Sequence, residues 1–182
     1  MACHDNHTLY DRLLASNGTD SEEDRLKMNR FGMSIIMIGK GTPFFLAGEE
    51  MLRSKGGDSN SYKSSDEVNN IRWDDLTAGS DIMAMRDFYR SLITLRKANL
   101  FITSSEMECT VLEHNEIEVR YSDGEKLTAY ALINPNGSAD YELPEGEWQI
   151  LMMNETVTPE GAETISGTVS VGGRTVLLVC RR

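Results

Sequence analysis

Three groups of residues have types and spacing that could do chemistry. The first is the run His4-Asp5-Asn6-His7, which puts two imidazoles, a carboxylate and an amide in consecutive positions. On spacing alone it reads as a chain terminus or a chance metal-like grouping. The second is the adjacent pair Glu49 and Glu50. Hydrolysis of a glycosidic bond uses two carboxylates facing one bond, but neighbours on an extended chain point to opposite sides, so this pair does not qualify. The third is a polar segment containing Asn60, Tyr62 and Trp73, which could hold a sugar by hydrogen bonding and stacking. Tyrosine and tryptophan also anchor long loops by burying area. Trp73 is assigned here to anchoring, and Tyr62 is open to either role.

These residues need elements to position them. Thr42-Pro43-Phe44-Phe45-Leu46-Ala47 is an apolar run too short for a helix, closed by Gly48, and predicts a strand buried on both faces. About 25 polar residues follow, a length that marks a functional loop rather than a connector. Before it, His4 to Leu14 is a loop entering a short helix. Asn17 to Lys40 is an amphipathic helix with Thr19 and Glu22 as a capping box, acidic residues in its first turn, and Met28, Phe31, Ile35 and Ile38 along one face. After it, Asp81 to Ala98 is a second helix, capped by Ser80, with Ile82, Met85, Tyr89, Leu92 and Leu95 or Arg96 on its apolar face. From residue 99 the period changes to 2. Ile117, Val119 and Tyr121 alternate with charges, Leu127, Ala129, Ala131 and Ile133 alternate again, and Trp148, Ile150 and Met152 form another set, between turn signals at Asp123-Gly124, Asn134-Pro135-Asn136-Gly137 and Pro144-Glu145-Gly146. Gly172-Gly173 reads as a two-residue hairpin joining Thr168–Val171 to Arg174–Val179. Six to eight short antiparallel strands forming a small sandwich are expected.

The stretch from Gly41 resembles the eighth strand and following loop of type I pullulanases, debranching glycoside hydrolases of the alpha-amylase superfamily. Gly41, Pro43, Phe44, Ala47, Gly48, Glu49 and Glu50, then Asn60, Ser61, Tyr62, Ser64, Asp66, Glu67, Asn69, Ile71 and Trp73, fall on its pattern. Cys3-His4-Asp5-Asn6-His7-Thr8-Leu9-Tyr10-Asp11 is similar to the superfamily's fourth short signature, and both matches come in the expected order. The resemblance implies an α+β chain: the last strand and two helices of a (β/α)8 barrel over residues 1–98, then an antiparallel β-sandwich over 99–182. It implies that Asp5 is a transition-state-stabilising carboxylate and that His4 and Asn6, with Asn60 and Tyr62, contact substrate. The oxocarbenium-like transition state gains from hydrogen bonds to sugar hydroxyls that strengthen as charge develops. The family draws its nucleophile and general acid from barrel strands four and five. The chain is therefore expected to be a C-terminal piece, inactive alone, of an enzyme that hydrolyses alpha-1,6 links in branched alpha-glucans such as pullulan or starch with retention. A non-catalytic β-sandwich module binding a glycan or a protein is the rival reading.

Composition fits a globular protein: 182 residues, 40% hydrophobic, net charge −11. Residues 1–98 hold 15 acidic and 13 basic groups and 99–182 hold 14 and 5, so the second stretch carries most of the charge. Such a surface repels phosphate backbones and anionic lipid, which argues against nucleic-acid and membrane partners. Cys3, Cys109 and Cys180 have no C-x-x-C spacing and read as small apolar residues, and no metal or cofactor is expected. No apolar run approaches a membrane span, and the first 20 residues lack a signal-peptide core. Localisation is left open. Apolar residues at the strand and helices that barrel elements would cover imply self-association of the isolated piece.

Overall fold

The computed structural model describes residues 2–3, 5–77 and 80–181. It combines helices with antiparallel sheet, and contacts divide it into two compact units, residues 1–33 with 42–90, and residues 34–41 with 91–182.

The first unit opens with helix α1, Leu9–Ser16. Its cap is Thr8, whose Oγ1 accepts from the Asp11 amide at 3.1 Å, satisfying one of the donors that every helix start leaves without an intrahelical partner. Helix α2 spans Glu22–Ile38, shorter than the sequence reading. Its capping residue is Ser21 and not Thr19: Ser21 Oγ accepts from the Asp24 amide at 3.1 Å and donates to the Asp24 carboxylate at 2.7 Å. The buried face of α2 also differs from the expected one. Leu26, Asn29, Met33 and Met37 are buried at helical spacing, whereas Met28, Phe31 and Ile35 are half-buried, and Ile38 is common to both faces. The stripe runs through a polar residue, and a search for apolar side chains steps over it. Asn29 is tolerated inside because its Oδ1 accepts from the Tyr89 hydroxyl at 2.8 Å.

Residues 42–46 form no strand. A strand needs a ladder partner, and among the described residues this segment has none. It runs extended, with Phe44 69% exposed, while Phe45 packs edge-on against Tyr89 at 5.7 Å between ring centroids. The long loop that follows is built from 3-10 turns and one short helix, α3, Asp66–Asn69. Helix α4, Ser80–Ala98, matches expectation closely, with Met85, Phe88, Tyr89, Leu92 and Leu95 buried on one face.

In the second unit, α5, Phe101–Ser104, leads into nine strands among the described residues: β1 Glu106–Val111, β2 Ile117–Asp123, β3 Lys126–Asn134, β4 Ala139–Glu142, β5 Trp148–Met153, β6 Thr156–Val157, β7 Thr164–Ile165, β8 Thr168–Val171 and β9 Thr175–Cys180. Seven form one antiparallel sheet in the order β1-β2-β3-β9-β5-β6, with β7 also on β5, and β4 pairs with β8 in a second, two-stranded sheet. Tyr130, Leu132, Leu143, Trp148, Ile150, Val171, Leu177 and Val179 make the core between them. On the opposite face of the large sheet, the buried Tyr121 hydroxyl donates to the Ile38 carbonyl at 2.7 Å. The end of α2 is closed by Arg96, which donates to the carbonyls of Met37 and Gly39, each at 2.7 Å.

The expected hairpin at Gly172-Gly173 is a change of sheet: β8 pairs with β4, whereas β9 pairs with β3 and β5. The glycines are needed for close approach, since a Cβ on Gly173 would come within 2.4 Å of the Asn136 carbonyl oxygen and 2.9 Å of the Gly137 Cα. Cys180 is buried and Cys109 is exposed. Among the described residues no helix is long and apolar enough to cross a membrane.

Candidate active site

His4 lies outside the described residues. The rest of the N-terminal signature rims a cleft of about 360 Å³ lined by Cys3, Asp5, Asn6, His7, Thr8 and Arg12, among others. Asp5 is exposed at its edge. Asn6 has a positive φ of 70°, a conformation that asparagine tolerates better than most residues. Its side-chain Oδ1 accepts from the His7 amide at 2.9 Å and from Arg12 Nη2 at 2.6 Å. The turn that presents Asp5 is thus pinned to the first helix.

Beneath this turn the two motif stretches interlock. Glu49 is 2% exposed, and its Oε1 accepts from the Leu9 amide at 2.9 Å, another donor at the start of α1. Burial pushes the Glu49 carboxyl above its ordinary value, against the lowering effect of that hydrogen bond. Its Oε2 is buried without a partner among the described residues. Asp11, also 2% exposed, accepts from Ser54 Oγ at 2.5 Å and the Lys55 amide at 2.7 Å. The buried Lys55 ammonium donates to Ser61 Oγ at 2.7 Å. Gly48 is required at φ 93°, because a Cβ there would meet Arg53 Cδ at 2.8 Å. Arg53 in turn donates to the carbonyls of Ala47, at 3.0 Å, and Asn69. Asn69 closes the loop on itself by donating to the Ser61 carbonyl at 2.7 Å.

Asn60 and Tyr62 stand outside the cleft lining. The Asn60 amide donates to Asp58 Oδ1 at 2.8 Å. Together with the Ser64 hydroxyl, which is the larger influence, it holds the Asp58 carboxyl below the usual range. Tyr62 is 74% exposed, with the Lys63 ammonium 5.2 Å from its ring centroid. Trp73 is not the buried anchor expected of it, since it is 64% exposed. Polar bonds from Asp11, Lys55, Arg53 and Asn69 hold the loop instead. The sequence reading missed Asp11, Arg12 and the supporting role of Glu49. A signal existed for the first: Thr8 followed three residues later by Asp11 is the spacing of a helix cap.

No protein-family model matches the chain. The pullulanase of Bacillus subtilis strain 168 is 30% identical over 184 residues, covering 93% of this chain and 25% of that protein. The pullulanase structure from Bacillus acidopullulyticus superposes with a TM-score of 0.87 at 28% identity, covering 98% of this chain and 23% of that one. The type I pullulanase structure from Bacillus subtilis str. 168 complexed with maltose gives 0.77 at 26% identity, with 97% and 26% covered. The chain thus spans about a quarter of the length of the proteins it matches. The likeness covers both motif stretches and the strands that follow them in sequence, and over that span the chain is similar in sequence and fold to the pullulanases.

Proposed function

We propose that the chain is part of a retaining alpha-glucan debranching hydrolase that cleaves alpha-1,6 links in pullulan-like or starch-like substrates. In this reading residues 1–98 are the end of the catalytic (β/α)8 barrel, contributing its last strand position and two helices, and residues 99–182 are the C-terminal sandwich. The observation that carries it is the interlock of the two signatures: Glu49 to Leu9 and Asp11 to Lys55 join segments 40 and 44 residues apart in sequence directly behind the turn of Asp5 and Asn6. Asp5 would stabilise the oxocarbenium-like transition state by accepting from sugar hydroxyls, with His4 and Asn6 as neighbouring contacts. Asn60 and the exposed Tyr62 would meet more distant sugar units, the latter by stacking. The maltose-bound Bacillus subtilis relative supports an alpha-glucan as the ligand.

Because the family takes its nucleophile and acid from other barrel strands, the 182 residues alone should not hydrolyse glucans, and the exposed Phe44 should favour self-association of the isolated chain. The test is a titration of the isotope-labelled chain with a branched maltooligosaccharide, followed by amide shifts, alongside a reducing-sugar assay on pullulan. Shifts at Asp5 to Thr8 that vanish in Asp5→Asn, with no sugar release, are expected. Release of sugar by the chain alone, or shifts insensitive to Asp5→Asn, would defeat this assignment.

A further inference from the structure

The sandwich unit holds a second cleft, of about 610 Å³, whose lining includes Glu118, Arg120, Tyr130, Tyr141, Glu142 and Leu143. Its origin is topological. Arg120 stands across the β2–β3 ladder from Tyr130, and Glu118 from Leu132. Residues two apart on a strand share a face, so all four lie on the face that carries the core. Over β3, β9 and β5 that face is apolar and closed by Val171 of the small sheet and Leu143 next to it. A sheet of two strands cannot cover one of seven, and over β2 the same face turns polar, with the Arg120 and Glu118 side chains 39% and 20% exposed.

The groups at this opening are fixed and incompletely used. Arg120 and Glu118 form a 2.6 Å ion pair that engages one guanidinium nitrogen and one carboxylate oxygen. The Tyr141 hydroxyl lies 3.2 Å from Glu116, which sets its ring. Tyr130 lines the cleft, and its hydroxyl makes no hydrogen bond among the described residues. Burial pushes that hydroxyl up to about 12, so at neutral pH it is a protonated donor. A hydroxyl with no bond inside the chain, on a residue that lines an open cleft, can donate to a ligand and accept from it.

We infer that this cleft is a second carbohydrate site, taking a short neutral alpha-glucan whose vicinal hydroxyls engage the Tyr130 hydroxyl and the Arg120–Glu118 pair. The chemistry selects the class. With three carboxylates, Glu118, Glu142 and Glu145, against Arg120, the lining disfavours anions. A cationic side chain would meet the Arg120 guanidinium, and an apolar ligand would strand the charged pair. A sugar hydroxyl both donates and accepts, which suits paired acids and bases, and the tyrosine walls suit sugar rings. The choice of an alpha-glucan rests on the debranching reading, whereas the cleft itself does not.

Titration of the labelled 182-residue chain with maltotriose and maltoheptaose tests it, read at the amides of 118–120, 130 and 141–143. Saturable shifts there are expected, with affinity weakened about fivefold in Tyr130→Phe, which keeps the ring packed and removes only the hydroxyl. No shift at these amides overturns the site, as does unchanged affinity in Tyr130→Phe or a preference for tetralysine over maltoheptaose. The debranching reading is judged separately, by the amides of Asp5 to Thr8.

Discussion

Glu49 offers the most informative single perturbation. It is nearly fully buried, one oxygen accepts the Leu9 amide at 2.9 Å, and the other has no partner among the described residues. Glu49→Ala leaves the Leu9 N–H at the start of α1 unsatisfied, a loss of about 1–3 kcal/mol. For a chain of this size that lowers the melting temperature by roughly 2–12 °C. Glu49→Gln keeps an acceptor for Leu9 and removes the charge that burial disfavours, so at pH 7 it should match or exceed the parent. The pH dependence follows from the raised carboxyl. The folded chain binds the Glu49 proton more tightly than the unfolded chain, whose value is the ordinary 4.5. The contribution to stability is therefore full below 4.5, falls as pH rises through the folded value, and is flat above it. Glu49→Gln should abolish this fall. Thermal melts of the three proteins between pH 4 and 8 decide the matter. A glutamine variant as unstable as the alanine variant at pH 7, or one that keeps the parent's slope, would refute the reasoning.

Other expectations are simpler. Leu177→Ala, at a fully buried site between the two sheets, should cost about 3–5 kcal/mol in denaturant unfolding read by a probe in the sandwich. Gly173→Ala should lose roughly 1–3 kcal/mol because its new methyl meets backbone at Asn136 and Gly137, whereas Gly137→Ala, with open space around it, should stay within about 0.5 kcal/mol of the parent. Hydrogen exchange should be fast at Phe44 to Leu46, which have no ladder partner, and slow at Ala129 to Ile133, where β3 is paired on both sides. Equal protection of the two segments would contradict the assignment of 42–46 as unpaired.

The sequence was most legible where its signal was local and periodic. The α4 stripe and the positions of β2, β3 and β5 follow from side-chain spacing, as does the turn at Gly124, with φ 60°, between Asp123 and Lys126, although β3 is buried on both faces over residues 129–134. It was least legible where the outcome depends on a partner distant in sequence. Thr42 to Ala47 has strand composition but no neighbour to pair with. Gly172-Gly173 has hairpin composition, yet β8 finds β4, and the hairpin gives way to a crossing between sheets. Edge strand β1 is nearly all exposed and so carries no alternation to detect. At the candidate site the motif residues could be named in advance, but their support could not. Glu49 and Asp11 act through backbone amides more than 30 positions away, and Trp73, expected to anchor the loop, is exposed.

The central claim is that Asp5 serves an alpha-1,6-glucan hydrolase, and the most direct measurement is a replacement. This chain is substituted for the matching quarter of the Bacillus subtilis pullulanase, and pullulan hydrolysis is followed with and without Asp5→Asn. The account predicts an active hybrid whose kcat falls about a hundredfold or more with Asp5→Asn at unchanged thermal stability. A folded hybrid that hydrolyses pullulan equally well with Asn at position 5 would contradict it.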